Sequence, residues 1–327
     1  STTSRPPSPT PPTTRTPSTA WSPSAPGPAA APPSPTTTRS CTLESLLTSP
    51  GAVVPSGTPR VPRPGAPGPR EANVQITTSD GTQIHVYEKP GHGPPTMLLH
   101  GWAVPGAVWR PIVDRWPADA GPLYVLDQRG SGWSSKPESG YTLDHYASDA
   151  VAVIDQLGLT GLKLVGHSMG GTIALLVALQ RPAAVRKVCL VNPVPPGGVP
   201  LDDQQVAYFR SLGGHRAGAE QVISMTTVRP VDRAQLDELL RDAASVSSAC
   251  FLGAFDAWRN ARVVDRVREL RVPVDVIGGV DERILPPAFL QAAVVDVVPG
   301  ARWVGIPGGH YPQLESPDEL LAALREG

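Results

Sequence analysis

Cysteine, aromatic residues and long apolar runs are all scarce in this chain of 327 residues. Three cysteines with no C-x-x-C pair exclude a disulfide scaffold and a cysteine-based zinc site. The longest unbroken aliphatic run, Ile173 to Leu179, falls far short of the ~20 residues that span a bilayer. An excess of one charge is missing too: 28 Lys+Arg stand against 29 Asp+Glu. Nothing in that balance calls for a nucleic-acid partner. The expectation is a soluble, cytoplasmic protein with no membrane partner.

Proline is abundant, and it is unevenly spread. Residues 1–70 hold 19 of the 40 prolines and carry a net charge of +5, which leaves −6 for the rest. This Ser-Thr-Pro segment has too little apolar surface to offset the entropy of ordering, and proline blocks both helix and central strand. A disordered extension over residues 1–71 is expected, with local polyproline stretches. It lacks an apolar core of signal-peptide kind, and its prolines argue against an amphipathic transit helix.

From Asn73 the pattern changes. Val74, Ile76 and Thr78 alternate with polar residues, Asp80-Gly81 follows, and Ile84, Val86 and Glu88 alternate again. Asp-Gly between alternating runs predicts a β-hairpin. Short continuous apolar runs come next, at Thr96–Leu99, Leu123–Leu126, Leu162–Val165, Val188–Val191, Val274–Ile277 and Trp303–Ile306. Such runs suit strands covered on both faces, as in a parallel sheet. Helical spacing separates them. Trp109, Ile112, Val113 and Trp116 fall on one face, and a helix over Leu143–Leu157 has Thr142 to cap it and Gly158 to end it. Ser316-Pro317-Asp318-Glu319 predicts a capping box opening a last helix. Strands alternating with helices predict an α/β fold with a mostly parallel twisted sheet.

Between Val194 and Val264 no strand pattern appears, only helical stretches at Asp202–Leu212, Ala219–Met225, Asp232–Ala243 and Ser247–Asn260. The expected organisation is a core of 72–193 and 265–327 interrupted by a helical lid, 194–264, over the edge of the sheet where ligands bind.

Gly166-His167-Ser168-Met169-Gly170 follows a predicted strand and opens a predicted helix. That context turns a weak G-x-S-x-G match into a nucleophile elbow, a tight turn holding Ser168 at a helix N-terminus. A serine hydroxyl needs a base. His310, after the strand Trp303–Ile306, is the candidate; the only other histidine after Ser168, His215, lies in the expected lid. A carboxylate must orient the imidazole. Asp281, just past Val274–Ile277, is the expected acid, with the adjacent Glu282 as its rival. After the earlier strand Val188–Val191 stands Asn192, which cannot supply a charge. Asp127 is expected to hold the loop Gln128–Ser134. The developing oxyanion needs donors: the N–H of Met169, and the N–H of Trp102 in His100-Gly101-Trp102.

Leu98-Leu99-His100-Gly101-Trp102, Asp127-Gln128-Arg129-Gly130-Ser131-Gly132-Trp133-Ser134, Val165 to Gly171, and Gly309-His310 followed by Glu315-Ser316-Pro317 together resemble the α/β-hydrolase superfamily. The likeness is to its small esterase, haloperoxidase-like and C–C-bond hydrolase group, and covers residues 72–327. The resemblance implies an α/β-hydrolase fold with Ser168, Asp281 and His310 as triad, Trp102 and Met169 as oxyanion donors, and neither metal nor organic cofactor. The implied activity is a carboxylesterase- or lactonase-like serine hydrolase. The same fold also hosts perhydrolysis, lyase or cyclisation steps and non-catalytic ligand receptors. Phe209, Met225, Phe251, Phe255 and Trp258, above Trp102, are expected to line a pocket for an apolar small-molecule substrate.

Overall fold

The computed structural model describes residues 72–213 and 215–326. The expected extension, residues 1–71, lies outside them.

The predicted hairpin forms: β1 (Ala72–Thr77) and β2 (Gln83–Lys89) pair antiparallel with Ile76 opposite Ile84. Then come β3 (Thr96–Leu99), α1 (Arg110–Arg115), β4 (Leu123–Asp127), α2 (Leu143–Leu157), β5 (Leu162–His167), α3 (Met169–Gln180) and β6 (Val185–Val191). Four helices stand before the next strand: α4 (Asp203–Ser211), α5 (Arg216–Thr226), α6 (Arg233–Ala243) and α7 (Ser248–Arg259). A short α8 (Val264–Val267) leads into β7 (Val274–Gly279), α9 (Pro287–Leu290), β8 (Ala301–Ile306), α10 (Pro312–Glu315) and α11 (Pro317–Glu326).

One sheet of 8 strands results, in the order β1-β2-β4-β3-β5-β6-β7-β8. β2 runs antiparallel to both neighbours, and every pairing from β4 to β8 is parallel. Strands β3, β4 and β5 are buried along their whole length, because helices cover both faces. Two apolar layers follow, one on each side. Helix α3 is buried from Met169 to Ala178 and has no polar stripe, as suits a helix enclosed on all sides.

The local signals behave as their chemistry predicts. Thr142 accepts from the His145 N–H at the start of α2, and Gly158 ends it in the left-handed region at φ 62°. Ser316 differs: its hydroxyl donates to the Pro307 carbonyl rather than capping α11. That contact ties the start of the last helix to the loop after β8. Among the described residues no helix is long and apolar enough to cross a membrane.

This topology brings the C-terminal ends of β3, β5, β6, β7 and β8 side by side in the parallel part of the sheet. The residues leaving those ends are His100, Ser168, Asn192, Val280 and Pro307. Chain-distant groups therefore meet along one rim.

Candidate active site

The elbow is built by close approach. A methyl group on Gly166 would lie 2.2 Å from the Gly170 carbonyl oxygen, and one on Gly170 would lie 2.5 Å from that of Leu99. Only hydrogen fits at either place, so β5 turns directly into α3. Ser168 sits in that turn at φ 52°, ψ −119°, a region that side-chain-bearing residues rarely occupy. Three backbone bonds hold it there: its N–H donates to Val191 O (2.9 Å), and its carbonyl accepts from Gly171 and Val194 (2.9 Å each).

The structure brings Ser168 and His310 together. Nε2 of His310 lies 3.1 Å from Oγ of Ser168, and Nδ1 lies 2.7 Å from Oε2 of Glu282. The acid at the imidazole is thus Glu282, and the expectation of Asp281 is corrected. Asp281 is exposed; among the described residues only its backbone N–H is used, donating to Gly308 O at 3.1 Å. The two neighbours point opposite ways as the chain leaves β7, and the inward one is the longer. The extra methylene lets Glu282 do two jobs. Oε2 takes the imidazole, while Oε1 accepts from the N–H groups of Ile284 (2.6 Å) and Leu285 (3.1 Å), in the turn that leads to α9. An acidic residue just ahead of Ile284-Leu285-Pro286-Pro287 was the available sequence signal for this turn-bracing role. Burial pushes the Glu282 carboxyl up, but the His310 imidazole and these two N–H groups outweigh it and hold the group below its ordinary range.

The loop carrying His310 is gripped through its backbone. Glu315 accepts from the N–H groups of Gly309 (3.0 Å) and Tyr311 (3.1 Å), and also from Val228 (2.8 Å) and Arg229 (2.9 Å) beyond α5. The His310 N–H donates to Thr226 O (3.1 Å). Asn192 and His167 reach the same loop from the sheet side.

Trp102 and Met169, expected as oxyanion donors, flank the nucleophile. A methyl on Gly101 would come 3.0 Å from Cβ of Ser168, so this backbone passes directly beside it. Met169 opens α3, where N–H groups lack helical carbonyl partners. His100 sets the second amide. Its Nε2 accepts from the Gln128 N–H (3.0 Å), so Nδ1 carries the proton and donates to Gly101 O (2.8 Å). A trans peptide points its N–H opposite to its carbonyl, so the Trp102 N–H is turned away from His100. That N–H makes no hydrogen bond among the described residues. Asp127 holds its loop as expected, accepting from Trp133 N–H (3.0 Å), Gly106 N–H (2.8 Å) and His85 (2.9 Å). Arg129 anchors the same loop in the interior by two 2.6 Å bonds to Asp149.

The aromatic residues of the helical insertion do gather over Trp102. Its ring lies 4.4 Å from that of Phe251, 5.5 Å from Phe255, 5.8 Å from Trp258 and 5.9 Å from Phe209, centroid to centroid. They pack directly against one another and against Trp102. A separate gap of about 10 Å³ lies beside Trp102, Met169, Tyr146 and Cys250, and the rings meet one another by edge and tilted contacts. Met225 is only partly buried and packs against the larger apolar core. A cavity of about 410 Å³ exists elsewhere, between α6 and the outer strands, lined by Tyr87, Val125, Trp133 and Leu239. Ser168, Glu282 and His310 do not line it. Among the described residues no set of His, Cys, Asp and Glu could hold a metal ion.

Residues 94–227 match the family model of the alpha/beta hydrolase fold. The chain is 29% identical over 259 residues to a non-heme haloperoxidase of Rhodococcus erythropolis, covering 71% of this chain and 90% of the relative. It is 26% identical over 252 residues to a bifunctional esterase/perhydrolase, DCH, of Acinetobacter calcoaceticus, covering 71% and 91%. An esterase from Exiguobacterium antarcticum, EaEST, shares the fold with a TM-score of 0.72 at 23% identity, over 78% of this chain and 98% of that one. The chain has the α/β-hydrolase fold and is similar in sequence to hydrolases and haloperoxidases that share it.

Proposed function

We propose that the protein is a serine hydrolase that opens an apolar ester, lactone or related carbonyl compound through an acyl-enzyme. The observation that carries this reading is the line of hydroxyl, imidazole and carboxylate at 3.1 and 2.7 Å. Ser168 Oγ attacks the carbonyl carbon as Nε2 of His310 takes its proton. Nδ1–H donates to Glu282 throughout, which fixes the tautomer and stabilises the imidazolium. The N–H groups of Trp102 and Met169 receive the oxyanion. The imidazolium then protonates the leaving alcohol oxygen. Water, deprotonated by His310, attacks the acyl carbon and releases the acid and Ser168.

The relatives support a second acceptor for the same intermediate. A haloperoxidase and an esterase/perhydrolase are among them. Hydrogen peroxide in place of water would release a peracid, with Ser168 regenerated in the same way. A fluorophosphonate probe followed by peptide mass analysis tests the shared step, and labelling at Ser168 is expected. A burst of nitrophenol from p-nitrophenyl acetate, then steady turnover, is expected without peroxide; peracid should appear when peroxide is added if both acceptors serve. An unlabelled Ser168 together with undiminished turnover by Ser168→Ala would refute the reading.

A further inference from the structure

Asn192 occupies the place after β6 where a carboxylate could have stood, and its surroundings explain why an amide is there. It is fully buried and has φ 39°, in the left-handed region that asparagine tolerates better than most residues. Its backbone N–H donates to Ile277 O (2.9 Å), which keeps it in register with β7. The side chain uses every polar atom. Nδ2 donates to Gly309 O (2.8 Å) and His310 O (3.1 Å), and Oδ1 accepts from the Gly279 N–H (3.0 Å). Two carbonyls on one side and an N–H on the other fix which end is nitrogen. An aspartate could not donate to either carbonyl.

Those partners belong to the two loops that must meet for the imidazole to face its carboxylate. Gly279 ends β7, three residues before Glu282, and Gly309 and His310 are the base and its neighbour. A second donor reaches the same point: His167 Nε2 lies 2.8 Å from His310 O. A carbonyl can only accept, so Nε2 carries the proton. Burial holds His167 well below the usual imidazole range, so it stays neutral, and its ring packs 5.0 Å from that of His310.

We infer that Asn192 is a positioning residue, whose amide clamps the His310 loop to the end of the strand leading to Glu282 and so holds the imidazole between Ser168 and its carboxylate. This rests on the triad reading above. Asn192 touches none of the reacting atoms. It acts through His310, and a drift of about 1 Å in such a group can cost up to about a hundredfold in rate.

The test compares wild type with Asn192→Ala and Asn192→Ser. Asn192→Ser keeps a small polar group and guards against failure of the alanine variant to fold. Two quantities are read: kcat and KM on p-nitrophenyl acetate, and the low-field proton resonance of His310 Nδ1–H, assigned by its loss in His310→Ala. Asn192→Ala should lower kcat by about tenfold to a hundredfold with KM changed by less than about twofold, and should shift or broaden the resonance. Asn192→Ser should fall between. A folded variant with wild-type kcat and an unmoved resonance overturns the proposal. The resonance needs no substrate: if wild type proves inactive and unlabelled, the hydrolase reading fails, while the resonance still decides the role of Asn192.

Discussion

The sheet rim and the helices between β6 and β7 are built by different rules. At the rim, several side chains are fixed by hydrogen bonds: Glu282, His310, Asn192, His100 and Glu315 each hold backbone or side-chain groups within about hydrogen-bond length. In the insertion the interior is a stack of rings around Trp102, and the charged contacts lie outside, as with Arg210 and Asp256. Hydrogen bonds fix direction; apolar contacts tolerate repacking. The difference teaches that the chemistry is held stiffly while the volume above it is set by groups that can rearrange.

Five experiments would break or sharpen that contrast. The largest effect belongs to the rim. Ser168→Ala should lower kcat by about a millionfold with the fold retained, read by ester hydrolysis and thermal melting. Next comes the choice between neighbours. Glu282→Gln should cost about ten-thousandfold in kcat, while Asp281→Asn stays within about twofold of wild type; the reverse order would place the carboxylate wrongly. The same substitution carries a pH signature. The Glu282 carboxyl lies below its ordinary value of 4.5 in the folded protein. Its contribution to stability is therefore complete above that value and is lost as pH falls through the lower folded one. Urea unfolding should show wild type losing stability more steeply than Glu282→Gln below pH 4.5.

In the insertion the expected losses are of stability. Phe255→Ala should cost about 3–5 kcal/mol in urea unfolding, yet leave Ser168 open to the fluorophosphonate probe. Loss of labelling in a folded variant would show that the rings also hold the rim. Arg210→Ala should cost less than about 1 kcal/mol, and the cost should fade in high salt, because both partners of that ion pair are substantially exposed.

The strands, the order of elements and the pair Ser168–His310 were legible because each rests on a local signal. Continuous apolar runs mark covered strands, and Gly166 and Gly170 mark a turn that admits only hydrogen. The acid was not legible to the same degree. Asp281 and Glu282 are adjacent, and which one faces inward depends on how the chain leaves β7. The need of Ile284 and Leu285 for an acceptor ahead of α9 points to Glu282. Asn192 was read only for the charge it lacks; its value lies in three backbone partners far along the chain, which no spacing reveals. The ring cluster was half legible. Composition brought Phe251, Phe255 and Trp258 together with Trp102, but whether rings line a space or fill it depends on side-chain packing.

The Glu315 carboxylate joins the chain after α5 to both neighbours of His310. Mechanically, the stretch from Thr226 to Arg229 is a rivet, so an outward swing hinged there would draw the imidazole of His310 away from Ser168.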